Sequence, residues 1–286
     1  MTDIVYLNGD FLPIEEARIP VLDRGFIFGD GVYEVIPTYH ARPFRLSAHL
    51  IRLQHSLDRL RITNPHSTEQ WSELIAAMIA KNPNPHNPNQ SIYLQITRGV
   101  AKRDHAYPSN ITPTVFLMSS PLVTPSADLI ASGVRCVTAQ DNRWLNCDIK
   151  SIALLGNCML RQQSADIGAT ETILFRGDEL TEASSSNVFV VKDGVLLTPP
   201  KSNLILSGIT YDVVIEIARA REFQIEVRPV STAEVFSADE IWITSSTKEV
   251  LAVTELDGKP VGDGQPGFLF KRMLALYQQF KQEHAD

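Results

Sequence analysis

Apolar and polar positions divide this chain into short strands, amphipathic helices and clear breaks. Residues 4–7 and 11–12 read as a hairpin turned at Asn8-Gly9, and further strands are predicted at 32–39, 91–98 and 114–118. In the first of these, alternation puts Tyr33 and Val35 on one face and Glu34 and Ile36 on the other. Pro37 lacks an N–H and moves that strand towards a sheet edge or a bulge. His49, Leu50, Leu53, Leu57 and Leu60 recur at helical spacing behind Ser47, a candidate N-cap, and a second helix is predicted over 68–81. Three prolines within 82–90 rule out regular structure there. Residues 99–109, with Arg103-Asp104-His105, form a polar loop, and the small polar residues and two prolines of 119–126 mark a domain boundary.

Beyond that boundary, strands are predicted at 134–138, 172–175, 188–191, 195–197, 225–230 and 240–244, with Asp193-Gly194 turning the middle pair. Helices are predicted at 151–167, 211–221 and 268–282. The alternation of both element types predicts a mixed α/β (α+β) fold of two domains, a smaller one over 1–120 and a larger one over 121–286. A helix start presents free backbone N–H groups, so Ile209 and Thr210 are a candidate phosphate seat, although an ordinary helix start reads the same way. Ser245-Ser246-Thr247 is a hydroxyl cluster behind a strand.

Composition narrows the function classes. Of 286 residues 44% are hydrophobic and 21% charged, enough apolar material to bury a substantial core. The formal charge of -7, with basic residues scattered, argues against nucleic acid as the main partner, so an anionic substrate must be held by local basic groups. No apolar run reaches the length of a membrane span, and the first residues lack a signal peptide's basic start, which leads us to expect a cytoplasmic protein that does not engage membranes. Cys136, Cys147 and Cys158 are odd in number without C-x-x-C spacing, so neither a disulfide framework nor a metal site is expected. Gly25, Gly29 and Gly31 lack the G-x-G-x-x-G order of a dinucleotide fingerprint.

The candidate chemistry centres on Lys150 in D-N-R-W-L-N-C-D-I-K-S, residues 141–151, where a cationic side chain sits in surroundings that otherwise read as interior. Burial disfavours the charged form of an amine and so favours a nucleophile able to form a Schiff base with an aldehyde. Downstream, T-E-A-S-S-S-N at 181–187 places the carboxylate of Glu182 before Ser184, Ser185 and Ser186. Alone, a serine triplet is usually a loop. Together with D-R-G-F-I-F-G-D-G-V-Y-E-V at 23–35, these stretches resemble the fold-type IV pyridoxal-phosphate (PLP) enzymes, and within them the D-amino-acid aminotransferases.

That resemblance implies a role for each motif residue. Lys150, in the larger domain, would bind the cofactor aldehyde and move the substrate proton, and Glu182 would face the pyridine nitrogen. Arg52, Ile209, Thr210, Ser245 and Ser246 would anchor the phosphate; Ser184 to Ser186 and Leu206 would line the ring. Arg103 and His105, reaching from a neighbouring subunit, would grip the substrate carboxylate with Tyr33, beside Val35, which implies a homodimer with shared active sites. The resemblance implies transamination between a D-amino acid of the D-alanine or D-glutamate type and an α-keto acid such as 2-oxoglutarate or pyruvate. Within the same fold, an L-branched-chain or (R)-amine aminotransferase and an aminodeoxychorismate lyase remain as alternatives. A non-catalytic α/β binding protein with Lys150 exposed is the alternative from another class. Pro37, where D-specific relatives often carry a polar residue, leaves the side-chain preference open.

Overall fold

The computed structural model describes residues 3–84 and 87–283; positions 85 and 86 of the proline-interrupted stretch lie outside them. The chain groups into two compact units, the first running to Val123 and taking in Ile149–Leu154, the second comprising Thr124–Asp148 and Leu155–Glu283. Both are mixtures of helix and sheet.

Among the described residues, the first unit holds strands β1 (Ile4–Leu7), β2 (Asp10–Pro13), β3 (Gly31–Tyr39), β4 (Arg42–Pro43), β5 (Gln90–Thr97) and β6 (Thr114–Pro121). They make one antiparallel sheet in the order β2-β1-β6-β5-β3-β4. Helices α1 (Arg24–Phe28), α2 (Leu46–Leu60) and α3 (Thr68–Lys81) complete the unit. Val32, Ile36, Leu53, Leu57, Trp71, Ile75, Ile92, Leu94 and Leu117 form its core, so the leucine stripe of α2 is buried against the sheet as its spacing predicts. Pro37 pairs opposite Ser91 without a break in register, and beyond it lies only the two-residue β4. The proline therefore sits near an edge, with no bulge.

Two sequence expectations fail here for identifiable reasons. Ser47 does not cap α2, which starts at Leu46 behind Arg45 in a left-handed conformation with no side-chain cap bond. The helix expected from 151 begins only at 155, because residues 150–152 are extended along β3. Tyr33 N–H donates to the Lys150 carbonyl at 3.0 Å and Ile152 N–H to the Gly31 carbonyl at 3.1 Å. These bonds are what join the segment carrying Lys150 to the first unit rather than to the C-terminal stretch in which its sequence position puts it.

The second unit holds α4 (Ala127–Ser132), β7 (Val134–Gln140), α5 (Leu155–Asp166), β8 (Glu171–Arg176), β9 (Glu179–Ala183), β10 (Asn187–Lys192), β11 (Val195–Thr198) and α6 (Ile209–Ala220). It continues with β12 (Ile225–Val227), α7 (Thr232–Phe236), β13 (Glu240–Ser245), β14 (Glu249–Leu256), β15 (Lys259–Pro260) and α8 (Phe268–Glu283). The strands run in the order β12-β11-β10-β13-β14-β7-β8-β9, with β15 beside β14. Pairing is parallel between β7 and both β8 and β14, and between β11 and β12. Ile173, Val188, Val190, Ile241, Ile243, Leu251 and Val253 line one core. β12 stops short of the expected 230 before Pro229, which has no N–H to continue a ladder. Among the described residues, no helix is long and apolar enough to cross a membrane.

Candidate active site

In the first unit Lys150 is half-buried and fixed at its backbone from both sides: its carbonyl accepts from Tyr33, and its own N–H donates to Ser56 Oγ at 3.1 Å. Its Nζ stands 4.0 Å from the centroid of the Tyr33 ring, and no carboxylate among the described residues pairs with it. Tyr33 in turn stacks on Tyr93, with ring centroids 5.7 Å apart. Val35 shares the Tyr33 face of β3 and, like it, is half-buried.

The other face of β3 carries Glu34, fully buried. Arg52 grips it with two bonds, Nε to Oε1 at 2.8 Å and Nη2 to Oε2 at 2.7 Å, and His49 Nδ1 donates to Oε2 at 2.8 Å. Burial alone would raise the Glu34 carboxyl, but the Arg52 charge and the bonds from Arg52 and His49 hold it down to about 2. Burial lowers His49, opposed by Glu34, and its Nε2 is buried with no hydrogen-bond partner among the described residues. Arg52 is thus a buried, oriented guanidinium rather than a solvated one.

Arg103 and His105 lie on the exposed loop after β5, over one aromatic ring. The Arg103 guanidinium carbon is 5.3 Å from the Phe28 centroid, and the His105 ring is 5.5 Å from it. The structure therefore brings Tyr33 beside Lys150, with Val35 on the same face of β3, and separately sets Arg103 and His105 against Phe28.

In the second unit Glu182 lies in β9, a strand absent from the sequence reading, and is buried. Its Oε1 accepts from Arg143 Nη1 at 2.7 Å; its Oε2 accepts from the Leu206 amide at 3.0 Å and Asn187 Nδ2 at 3.3 Å. Desolvation pushes this carboxyl up to about 7, against the pull of Arg143 and the Leu206 amide. Arg143 is shared with Asp141, which takes Nε and Nη2 at 3.0 Å each. Leu206 thus acts on Glu182 through its backbone.

The three serines after β9 all turn towards Glu171, buried at the start of β8. Ser184 and Ser185 hydroxyls donate to its carboxylate by short bonds, Ser186 at 2.8 Å, and Lys248 Nζ at 3.0 Å. Each hydroxyl proton is committed to Glu171, so the triplet offers lone pairs to its surroundings.

Helix α6 starts at Ile209 behind Gly208, which provides no side-chain cap, and the Thr210 side chain bonds Tyr277. The amides of its first turn have no capping side chain. Helix α6 packs on β13, whose last residue is Ser245; the Ser245 Oγ accepts the Lys248 N–H at 3.1 Å, which leaves its own proton to donate. Ser246 follows in the same turn, half-buried.

A family model for class IV aminotransferases matches residues 31–256. The chain belongs to the class IV aminotransferases. This aminotransferase is 36% identical over 282 residues to the D-alanine aminotransferase of Staphylococcus epidermidis, covering 98% of this chain and 99% of that one. It is 38% identical over 274 residues to the D-alanine aminotransferase of Bacillus licheniformis, with 96% and 95% covered. Its fold matches the crystal structure of the Escherichia coli branched-chain amino acid aminotransferase with a TM-score of 0.91, over 100% of this chain and 97% of that one. At 24% identity that likeness speaks for the fold alone.

Several residues that hold these side chains in place are not among the candidates that the sequence singles out. Arg143 stands inside the quoted motif, two residues from Asp141, a spacing that could have suggested a shared pair. Glu34 was legible as a charge on an apolar strand face. Glu171 and Lys248 had no local signal, because their partners lie far along the chain.

Proposed function

We propose that this aminotransferase carries out PLP-dependent transfer of an amino group between a D-amino acid, of the D-alanine or D-glutamate type, and an α-keto acid such as 2-oxoglutarate or pyruvate. The observation that carries the reading is the placement of Lys150 Nζ against Tyr33, on a backbone clamped from both sides. The sequence likeness to two D-alanine aminotransferases over nearly the whole chain supports the D-amino acid.

The donor set suits the cofactor. Uncapped amides at the start of α6, with hydroxyls at Ser245 and Ser246, are all donors fit for a phosphate, and we assign to the same group the guanidinium of Arg52, which Glu34 orients by its Nε and Nη2. Glu182, with its oxygens fixed by Arg143, Asn187 and Leu206, would face the pyridine nitrogen. When bound, PLP supplies a sink for the electrons left on the substrate α-carbon.

Lys150 Nζ would hold the cofactor aldehyde and then, once released, carry the proton to and from the α-carbon. One amine would serve one face of the cofactor ring. Handedness then depends on where the substrate carboxylate is fixed, a task we assign to Arg103, His105 and Tyr33, with Val35 lining the same face. Arg103 and His105 are exposed in the single chain, and exposed Val21, Phe26, Val100 and Tyr107 lie on or beside the same loop and α1. That surface suits a homodimer with shared active sites, acting in the cytoplasm.

The test is pyruvate release from D-alanine with 2-oxoglutarate as acceptor. Wild type should turn over, and Lys150→Ala should show no turnover; a fully active Lys150→Ala would reject the assignment.

A further inference from the structure

Arg103 and His105 sit on an exposed polar loop, yet a buried frame lies under them. We propose that Arg24, clamped by Asp30, is the positioning residue that sets this loop for carboxylate binding, with Phe28 as the surface on which the two side chains rest. The proposal rests on the reading that Arg103 and His105 meet the substrate carboxylate.

The loop is tied at its base. Arg24 N–H donates to the Gly99 carbonyl at 2.9 Å, Ala101 N–H to the Leu22 carbonyl at 3.3 Å, and Asp23 bridges to Val100. Gly99 has φ +104, and a Cβ there would stand 2.0 Å from the Thr112 carbonyl oxygen, so the two ends of the loop are pinched together. The start of α1 is itself fixed, because buried Asp23 accepts from the Gly25 amide, Thr97 and Thr114.

The tip is held by one side chain. Arg24, only 3% exposed, donates Nη1 to the Asp104 carbonyl at 2.6 Å and more weakly to the Ala106 carbonyl at 3.4 Å. Ala106 N–H closes a local turn onto Asp104 Oδ1 at 3.2 Å. The carbonyls on both sides of His105 are therefore directed at a single guanidinium, which holds the backbone that carries His105. Phe28, at the end of α1, lies under Arg24, Arg103 and His105 alike, with the Arg24 guanidinium carbon 4.8 Å from its centroid.

Arg24 cannot swing, because Asp30 takes its Nε at 2.7 Å. The same carboxylate holds Arg98 through Nε at 2.8 Å and Nη2 at 3.0 Å, and Arg98 bonds the carbonyls of Leu60 and Arg61. Arg98 also lies 3.6 Å under the ring of Tyr107, farther along the loop. Asp30 thus ties two guanidiniums together, Arg24 at the tip of the loop and Arg98 at its base. A guanidinium suits this work because it can bond a carboxylate at one edge and carbonyls at the other, as an ammonium cannot. A loop arginine fixed before the substrate arrives gives up less freedom on binding.

The experiment uses the PLP-loaded enzyme and compares Arg24→Lys, Phe28→Leu, Arg103→Ala and the double variants carrying Arg103→Ala. It reads KM for D-alanine and 2-oxoglutarate, kcat, PLP affinity and Tm. Arg24→Lys should raise both KM values about tenfold while kcat and PLP affinity stay within about twofold, and Phe28→Leu should act in the same direction. Once Arg103 is gone, adding Arg24→Lys should change KM by less than about twofold, since positioning has nothing left to position. Unchanged KM in Arg24→Lys, with a raised KM in Arg103→Ala, overturns the positioning role and leaves the carboxylate reading standing. Unchanged KM in Arg103→Ala overturns both. Effects of Arg24→Lys that add fully to those of Arg103→Ala, or follow Tm and PLP loss, make Arg24 a purely structural residue. Should Arg24→Lys not fold, Phe28→Leu alone and with Arg103→Ala carries the same comparison.

Discussion

Arg143 Nη1 donates to Glu182 Oε1 across 2.7 Å, with both side chains buried, and its opposite edge is bound to Asp141. One guanidinium thus keeps two interior carboxylates in place. Removing a partner from a buried pair costs about 3–5 kcal/mol, so Arg143→Ala should lower the unfolding free energy of the cofactor-free protein by that order. Urea unfolding reads it, and a change below about 1 kcal/mol, the size of a surface pair, would contradict the burial argument.

Glu182→Gln keeps the shape and the Leu206 amide contact's acceptor but loses the negative charge. The cofactor should still bind, while the chemical step should slow by about a hundredfold, corresponding to about 3 kcal/mol of lost charge stabilisation. Single-turnover mixing with D-alanine isolates that step. An unchanged rate would place Glu182 away from the electron-accepting ring.

Glu34 links stability to pH. Its folded value of about 2 lies below the ordinary 4.5, so its contribution is present above about 4.5 and is lost as pH falls towards 2. Glu182 has the opposite sign: its folded value of about 7 lies above 4.5, so its contribution is present at low pH and is lost as pH rises towards 7. Glu34→Gln should therefore reduce Tm at pH 6 and flatten the acid side of the Tm profile. Parallel profiles for variant and wild type between about pH 6 and pH 3 would show that Arg52 and His49 do not hold Glu34 ionised.

Glu171 collects three serine hydroxyls and Lys248 in one buried spot. Glu171→Gln should cost more stability than Ser186→Ala, since a single hydroxyl bond contributes about 1 kcal/mol, whereas the carboxylate serves four donors at once. Thermal melts of the two variants compare them directly. Equal losses would mean that the serines hold their positions without the carboxylate.

Much of this was legible along the chain. The hairpin at Asn8-Gly9, the leucine stripe of α2, the span of α3 and the Asp193-Gly194 turn follow from local spacing and turn chemistry, and they form as the residues demand. Lys150 stood out because charge in an apolar setting is costly, and Glu182 because a carboxylate there precedes three hydroxyls. What local pattern could not show is pairing at a distance. The helix expected after Lys150 gives way to extended backbone because β3, over a hundred residues earlier, offers Gly31 and Tyr33 as partners. The triplet Ser184 to Ser186 reads locally as a loop, and spacing alone could not show that its protons go to Glu171. Arg24 likewise belongs to a motif whose glycines drew attention, while its guanidinium serves carbonyls 80 and 82 residues away.

The central claim is that Lys150 works on a D-amino acid whose carboxylate is fixed by Arg103 and His105. The most direct measurement is the visible absorption spectrum of the PLP-loaded enzyme before and after D-alanine, with L-isoleucine in a parallel sample. Conversion of the cofactor band by D-alanine alone, lost in Lys150→Ala, is the predicted result. Conversion by L-isoleucine and not by D-alanine would contradict it.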